Sequence, residues 1–157
     1  MTMEKTNALR QLDRKKLQYQ IHSYEGAISG VDVAAKMNQD TAKVFKTLVT
    51  VGKSGINYVF MVPVAEELDL KKAAKAVGEK SVVMIAQKEL LPLTGYVHGG
   101  CSPIGMKKAF FTVIHESAMQ YDHIFFSGGK IGLQIETTFE NLSKIIRIEP
   151  ADIIVAD

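Results

Sequence analysis

The sequence predicts one domain of the mixed α/β (α+β) class, in which helices surround a curved mixed β-sheet or partial barrel. Apolar and alternating runs typical of strands interleave with amphipathic runs typical of helices. Some neighbouring strands are joined by a tight turn and others by a helix, which predicts both hairpins and helical crossovers. The chain has 157 residues, 46% of them hydrophobic, which fits a single domain over 1–157 with a substantial core.

The first quarter of the chain predicts two helices, a strand and a turn. Apolar side chains at helical spacing predict a helix over residues 6–16, opened by a threonine or an asparagine cap. Residues 19–24 alternate between apolar and polar side chains and predict a strand. A second short helix is predicted over 31–37, and the polar residues 40–41 predict a brief turn before the next strand.

The second quarter predicts a hairpin followed by a helix. Residues 44–51 and 56–64 are rich in β-branched and aromatic side chains, and the glycine-containing link 52–55 is typical of a hairpin turn. A helix is predicted over 69–77, because its apolar residues recur at helical spacing behind an aspartate cap. Gly78 should end this helix, since glycine adopts the left-handed backbone conformation that closes helices.

The remaining segments predict a series of short elements. A helix over 87–91 should end near Pro92, because proline lacks the N–H that a helix interior uses. A last helix is predicted over 138–143. Strands are predicted over residues 81–85, 109–114, 123–126, 131–137 and 144–148.

From its composition we expect the protein to be cytoplasmic. The net charge is only +2, which neither indicates nor excludes a nucleic-acid partner. The single cysteine cannot form an intrachain disulfide, which fits a reducing compartment. The first six residues lack the apolar core of a secretory signal, and no apolar run approaches the length of a membrane span.

The segment GGCSPIG at 99–105 is the most unusual local feature of the chain. Three glycines, a serine and a proline in seven residues exclude a helix interior or a regular strand. Such a loop can aim several backbone N–H groups at a carbonyl oxygen that becomes negative during a reaction. It can equally be a tight connection between two strands, and composition alone leaves both interpretations open.

Lys46 lies in an otherwise apolar strand. Side chains at even positions share one face, so Lys46 is placed with Val44 and Leu48. A lysine in such surroundings either lies at the wall of a pocket or belongs to an edge strand and reaches out to water.

Two further segments carry weaker signals. Ser127 and the glycine pair that follows it form either a tight turn or a lip whose serine binds a ligand. Cys101 stands three residues from His98, so a Cys–His nucleophile pair competes with a buried apolar thiol. The four histidines lack the spacing of a metal pair, and no dinucleotide or phosphate-loop fingerprint is present, so we expect no metal and no cofactor.

Several of these motifs occur together, in order, and resemble the YbaK/EbsC family. The strings that carry the resemblance are HSY (22–24), VFKTL (44–48), LDLKKAAK (68–75), TGYVHGGCSPIG (94–105) and SGGK (127–130). The resemblance covers nearly the whole chain and is greatest to the Cys-tRNA(Pro) deacylases of that family. Each motif alone is weak, whereas the ordered set is specific.

The resemblance implies a function in translation. Family members are bacterial editing deacylases, related to the insertion domain of prolyl-tRNA synthetase, that cleave the ester between a wrong amino acid and the tRNA 3′ end. We therefore expect a trans-editing hydrolase, or a lyase-type enzyme, that acts on Cys-tRNA(Pro) with help from the substrate's own thiol. The implied partners are aminoacyl-tRNA and prolyl-tRNA synthetase, with no membrane, metal or cofactor.

The resemblance also implies roles for individual residues. Lys46 matches a lysine near the terminal nucleotide, and Gly100 matches a loop whose N–H groups stabilise the developing oxyanion; both are expected to be catalytic. The residues expected to bind substrate are Tyr24, Gly99, Ser102, Ser127 and Gly128.

The sequence departs from the family pattern at a few positions. Cys101 stands where an aliphatic residue is expected, Ile131 replaces an arginine, and the segment 26–30 is shorter. The alternatives are therefore a deacylase for another small ester, such as Ala-tRNA(Pro), or a non-catalytic module that binds a tRNA end or a nucleotide.

Overall fold

The computed structural model describes residues 5–27 and 29–156. The sequence predicts no secretory signal in the first six residues. Of these, residues 1–4 lie outside the described residues. The described helices are α1 (Asn7–Arg14), α2 (Gly30–Lys36), α3 (Leu70–Val77), α4 (Gln87–Thr94) and α5 (Phe139–Ser143). The strands are β1 (Gln20–Ser23), β2 (Phe45–Gly52), β3 (Asn57–Pro63), β4 (Val82–Met84), β5 (Thr112–His115), β6 (Ile124–Ser127), β7 (Leu133–Thr137) and β8 (Ile148–Ala151). Short 3-10 turns cover Thr41–Lys43 and Glu116–Gln120.

The strands form a five-stranded and a three-stranded sheet. The larger sheet has the order β4-β2-β3-β5-β8 and the smaller one the order β1-β7-β6. The β2–β3 and β2–β4 pairs are antiparallel, whereas β3–β5 and β5–β8 are parallel, so the predicted mixed α/β class is confirmed. The sequence predicted one sheet. The strands divide into two because β2 and β6 meet at a single parallel bridge, between Val44 and Phe125, rather than along a ladder.

Helix ends follow the capping residues that the sequence contains. Thr6 caps α1 by accepting a hydrogen bond from the Leu9 N–H, and Asp69 caps α3 by accepting from Lys71 and Lys72. Gly78 ends α3 at φ +74°, a conformation that glycine adopts without the clash of a Cβ. These helix ends were predicted from the same residues, and the structure confirms them.

The largest core cluster lies between α1, α5 and strands from both sheets. The apolar side of α1, formed by Ala8, Leu9 and Leu12, is buried against residues such as Phe126 and Ile135. A second cluster packs α3 on the five-stranded sheet. Within residues 5–27 and 29–156, no helix is long and apolar enough to cross a membrane.

Several predicted boundaries are wrong at the ends of elements. Helix α4 continues past Pro92, because its last turn is held by other donors: the Thr94 hydroxyl bonds the Leu90 carbonyl at 2.7 Å, and the Gly95 N–H bonds the Leu91 carbonyl at 2.8 Å.

The last strand was predicted over 144–148 and instead forms at Ile148–Ala151. The N–H groups of Ile145 and Ile146 both donate to the Leu142 carbonyl at 3.1 Å, so this segment closes α5. Strand β5 likewise starts at Thr112, three residues after its predicted start.

Candidate functional site

A cavity of about 480 Å³ is lined by residues from both sheets and from the loops between them. Its walls come from the first half of β2, the N-terminal end of α2, the start of α4, the segment 98–101 and strands β6 and β7. The lining residues with a polar or charged side chain are Tyr24, Ser29, Lys46, Thr47, Gln87, His98, Cys101, Ser127 and Gln134. In the described part of the chain no aspartate or glutamate lines this cavity.

The cavity exists because one edge of β2 is only half covered. Strand β3 pairs with β2 from Phe45 to Val51, whereas β4 pairs with it only from Thr50 to Gly52. The edge at Lys46 and Thr47 therefore forms no ladder with another strand, since β6 meets β2 only at the Val44–Phe125 bridge, and the cavity lies along this edge.

The sequence left open whether Lys46 lies at a pocket wall or on an edge strand, and in the structure it does both. It lies at a strand edge, and its half-buried side chain lines the cavity. Among the described residues, no hydrogen-bond acceptor or carboxylate pairs with its ammonium group. An unpaired cation in a cavity without carboxylates is suited to an anionic or oxygen-rich ligand.

The glycine-rich loop contributes main chain to the cavity at some positions and not at others. Gly99, at φ +85°, and Cys101 line the cavity, whereas Gly100 does not. The Gly100 N–H already donates to the Val97 carbonyl at 3.0 Å. In the described part of the chain, the N–H groups of Gly99 and Cys101 donate no hydrogen bond. Among the described residues, the Gly99 and Cys101 N–H groups, unlike that of Gly100, are therefore left without a protein acceptor.

Gly100 holds two loops together. A Cβ at this position would lie 2.9 Å from the main-chain nitrogen of Ile131 and 2.9 Å from the Cα of Lys130. Its φ is not positive, so glycine is needed here for close backbone approach and not for a special conformation. The loop 99–105 is thus packed directly on the β6–β7 connection.

Ser102 and Gly128 also lie behind the cavity wall. The Ser102 hydroxyl is buried and accepts a hydrogen bond from the Ile104 N–H at 3.3 Å. Gly128 is buried against Leu133, and its carbonyl accepts a hydrogen bond from the Thr6 hydroxyl at 2.5 Å. Both residues shape the loops, and neither lines the cavity.

Tyr24 and Ser127 do line the cavity, as does Lys46. The Ser127 hydroxyl accepts a hydrogen bond from the Gly129 N–H at 3.2 Å, so the turn fixes its orientation. Of the seven residues that the sequence singled out as catalytic or substrate-binding, the structure brings together Lys46, Tyr24, Gly99 and Ser127.

Sequence reasoning missed Thr47 and Gln134 in the cavity wall. Both interrupt apolar strands with a polar side chain, as Lys46 does. A search for polar side chains within apolar strands identifies Lys46, Thr47 and Gln134 together.

Cys101 is a buried thiol in the cavity wall. Burial raises its pKa to about 12, against a smaller lowering effect of a hydrogen bond with Thr94. The thiol therefore stays protonated near neutral pH, which makes it a weak nucleophile. His98 lines the same cavity but forms no hydrogen bond with Cys101, so the Cys–His pair considered from the sequence is not formed in the described residues.

No metal site accompanies these residues in the described part of the chain. No group of three or more histidine, cysteine, aspartate or glutamate side chains is arranged to hold a metal ion there. His22 and His123 each contact Glu136 at 2.8 Å, but they use both of its carboxylate oxygens and lie outside the cavity.

Comparison with known proteins relates this chain to a family. Residues 25–145 match the model of a family described as the aminoacyl-tRNA editing domain. The EbsC protein of Enterococcus faecalis, whose name assigns it provisionally as a Cys-tRNA(Pro)/Cys-tRNA(Cys) deacylase, is 43% identical over 155 residues. The match covers 97% of this chain and 94% of that protein.

Solved structures show the same fold at lower identity. A protein described provisionally as a trans-editing enzyme for prolyl-tRNA synthetase superposes with a TM-score of 0.86 at 23% identity, over 98% of this chain and 100% of that one. A second protein, described as hypothetical, has a TM-score of 0.84 at 17% identity, over 96% and 100%. These similarities establish the architecture.

We expect Gly100→Ala to destabilise the protein by about 1–3 kcal/mol, because the added methyl group forces the Lys130–Ile131 main chain away. The free energy of unfolding in urea measures this loss. Unchanged stability would show that the two loops separate freely and that their contact does not shape the cavity.

We expect Cys101 to react slowly with iodoacetamide at pH 8 in the folded protein, because its raised pKa keeps the thiolate scarce. Mass spectrometry of the intact chain measures the reaction, and the same protein in denaturant is the control, since it has only one cysteine. Equal rates in the folded and denatured protein would contradict the buried, neutral thiol.

Proposed function

This chain belongs to the aminoacyl-tRNA editing domain family, and we propose on that premise that it deacylates mischarged tRNA, with Cys-tRNA(Pro) as its substrate. The family match confirms the resemblance that the ordered motifs indicated. The name of the Enterococcus faecalis relative, at 43% identity over nearly the full length, supports the cysteinyl ester as the substrate. We infer that the reaction takes place in the cytoplasm, where tRNA is charged.

The observation that carries the proposal is that Lys46, Gly99 and Cys101 line one cavity, while the Lys46 ammonium group and the two loop N–H groups have no partner among the described residues. The free ammonium group of Lys46 suits the phosphate or hydroxyl oxygens of the terminal nucleotide. The N–H groups of Gly99 and Cys101 are the donors for the ester oxygen that becomes negative. Gly100, expected from the sequence to be catalytic, acts in this proposal by holding the loop in place.

The nucleophile in this proposal comes from the substrate. Cys101 is the only thiol of the chain, and burial keeps it protonated. Two carbons, Cα and Cβ, separate the cysteinyl thiol of the substrate from its carbonyl carbon, so holding the thiol in line replaces a separate catalytic nucleophile. Its sulfur bonds to the carbonyl carbon, the ester C–O bond breaks, and the thiol proton goes to the departing 3′ oxygen. Water then hydrolyses the released thiolactone to cysteine.

Aminoacyl-tRNA is the partner that this proposal requires. A complex with prolyl-tRNA synthetase stays a prediction, because the structural similarity to a protein named for that synthetase is at 23% identity and concerns the fold alone. Deacylation of Cys-tRNA(Pro) by the purified chain, without a synthetase, is the experiment that tests the proposed function. It separates an enzyme from a module that only binds a tRNA end.

We expect Lys46→Ala to lower kcat/KM for Cys-tRNA(Pro) by about 10- to 100-fold, since a lost charged hydrogen bond costs about 1.5–3 kcal/mol. Single-turnover deacylation measures the loss, and thermal unfolding shows whether the fold is intact. Lys53→Ala, in the exposed β2–β3 turn, is the matched control and should leave the rate unchanged. Full activity in Lys46→Ala would remove this residue from the mechanism.

We expect Cys-tRNA(Pro) to be cleaved about 100-fold or more faster than Ser-tRNA(Pro) and Ala-tRNA(Pro), because only the first substrate carries a thiol. Serine differs from cysteine by one atom, so binding alone separates these two esters much less. Cys101→Ala is the control and should keep the preference. Equal rates for the three esters would instead indicate a water activated by the protein.

A further inference from the structure

Charge is distributed very unevenly along this chain. Three segments contain eight of its 19 lysine and arginine residues but only one of its 17 aspartate and glutamate residues. They are the N-terminal segment 5–19, the loop 95–111 between α4 and β5, and the β6–β7 loop 128–132. The three segments therefore carry a net charge of +7, whereas the rest of the chain carries −5. The small total charge conceals a strongly basic part of the molecule.

The three basic segments pack against one another. A Cβ at Gly105 would lie 3.0 Å from the carbonyl carbon of Asn7, so the loop 95–111 touches the start of α1. The Thr6 hydroxyl donates a hydrogen bond to the Gly128 carbonyl, which joins the start of α1 to the β6–β7 loop. The two loops meet at Gly100, as described above. The segments therefore form one connected basic surface, which we define by these three ranges.

The cations of the basic surface are exposed and lack acidic partners. All eight side chains are exposed, and seven of them pair with no carboxylate in the described part of the chain. The eighth, Lys5, pairs with Asp13, the one acidic residue of the three segments. The apolar side of α1 is buried, so Arg10 and Arg14, which are four residues apart, lie together on its outer side.

The basic surface starts at the mouth of the cavity and extends beyond it. Lys130 directly precedes Ile131, which lines the cavity although its side chain is 62% exposed. Helix α1 starts at the β6–β7 loop, and Arg14 lies about 10 Å further along the helix axis. A small anion held in the cavity cannot contact both ends of this surface. An extended polyanion can do so.

We propose that this basic surface binds the phosphate backbone of the tRNA acceptor arm while the aminoacyl ester occupies the cavity. This inference rests on the proposed function, which puts a tRNA 3′ end at the cavity mouth. A nucleic-acid strand carries one negative charge per nucleotide along an extended path, which is the pattern that a row of unpaired exposed cations matches. Phosphate contacts position a nucleic acid without reading its sequence, so the surface supplies affinity and orientation for any tRNA.

The test measures binding of uncharged tRNA(Pro) by fluorescence anisotropy, which does not require deacylase activity. Arg10→Gln/Arg14→Gln removes two cations from the outer side of α1. We expect about tenfold weaker binding at about 50 mM salt, because fewer phosphates are neutralised. The slope of log Kd against log salt should become less steep by about 1–2, since each lost contact releases about one counterion fewer. Arg10→Lys/Arg14→Lys retains both charges and should restore binding.

Helix α3 provides the matched control. Lys71 and Lys75 are exposed, lie four residues apart on that helix and are outside the basic surface. Lys71→Gln/Lys75→Gln removes the same charge from the chain and should leave both the affinity and the salt slope unchanged.

Deacylation provides a second measurement. Arg10→Gln/Arg14→Gln should raise KM for Cys-tRNA(Pro) and leave kcat unchanged, because neither arginine lines the cavity. The cysteinyl ester of adenosine lacks an acceptor arm, so the variant and the wild type should cleave it at the same rate. An equal loss on both substrates would overturn the inference, because it would assign the two arginines to the fold or to the ester.

The outcomes separate this inference from the proposed function. If tRNA binds as expected but no ester is cleaved, the proposed function fails and the basic surface is retained as a tRNA-binding surface. If Arg10→Gln/Arg14→Gln binds tRNA as tightly as the wild type, the inference is overturned. An equal loss in the α3 control also overturns it, because the effect then follows total charge. If thermal unfolding shows that the α1 variant does not fold, Lys107→Gln/Lys108→Gln tests the same surface from the loop 95–111.

Discussion

The unequal pairing of strand β2 is the constraint on which the candidate site depends. One edge pairs with β3 over seven residues and the other with β4 over only three. The first half of β2 therefore has the rigidity of a central strand and the open edge of an outer one. Open edges usually invite pairing with another chain. In this protein loops, helix ends and the strands β6 and β7 cover the edge without pairing along it, and the space that remains is the cavity lined by Lys46 and Thr47.

The loops that close this space are held mainly by backbone contacts. The loop 99–105 touches the Lys130–Ile131 main chain at Gly100, and the Tyr96 hydroxyl bonds the Ile104 carbonyl at 2.6 Å. Helix α1 is linked to the β6–β7 loop, because Thr6 caps the helix and its hydroxyl donates a hydrogen bond to the Gly128 carbonyl. A site built on such contacts is rigid without regular secondary structure, which favours catalysis by positioning. Glycine is needed at position 100 because a residue with a Cβ could not approach the main chain of Lys130 and Ile131 so closely.

The sequence predicted correctly the features that depend on neighbouring residues, such as helix ends. It failed for features that depend on contacts between distant segments, such as the division into two sheets. Caps such as Asp69 and the stop at Gly78 act within one turn of a helix, so their residues predict the observed ends. The division into two sheets depends on how β2 and β6 cross, and no residue pattern within either strand encodes that crossing. Gly100 was singled out correctly as unusual, but its neighbours, Lys130 and Ile131, are thirty residues away in the chain. The sequence could therefore indicate that the loop matters without showing which of its glycines reach the cavity.

The charge balance of the cavity explains why its own thiol and the thiol of a cysteinyl ester would behave differently. Cys101 is part of the wall, where burial raises its pKa to about 12 and keeps it protonated. In the proposed function a substrate thiol would enter with its ester on the cavity side of that wall, where Lys46 is a positive charge without a carboxylate partner among the described residues. A nearby cation lowers the cost of forming a thiolate, whereas burial raises it. Under the proposed function, the same cavity would suppress ionisation of the protein's sulfur and favour ionisation of the substrate's, so a cysteine in the wall is compatible with a mechanism in which the substrate attacks itself.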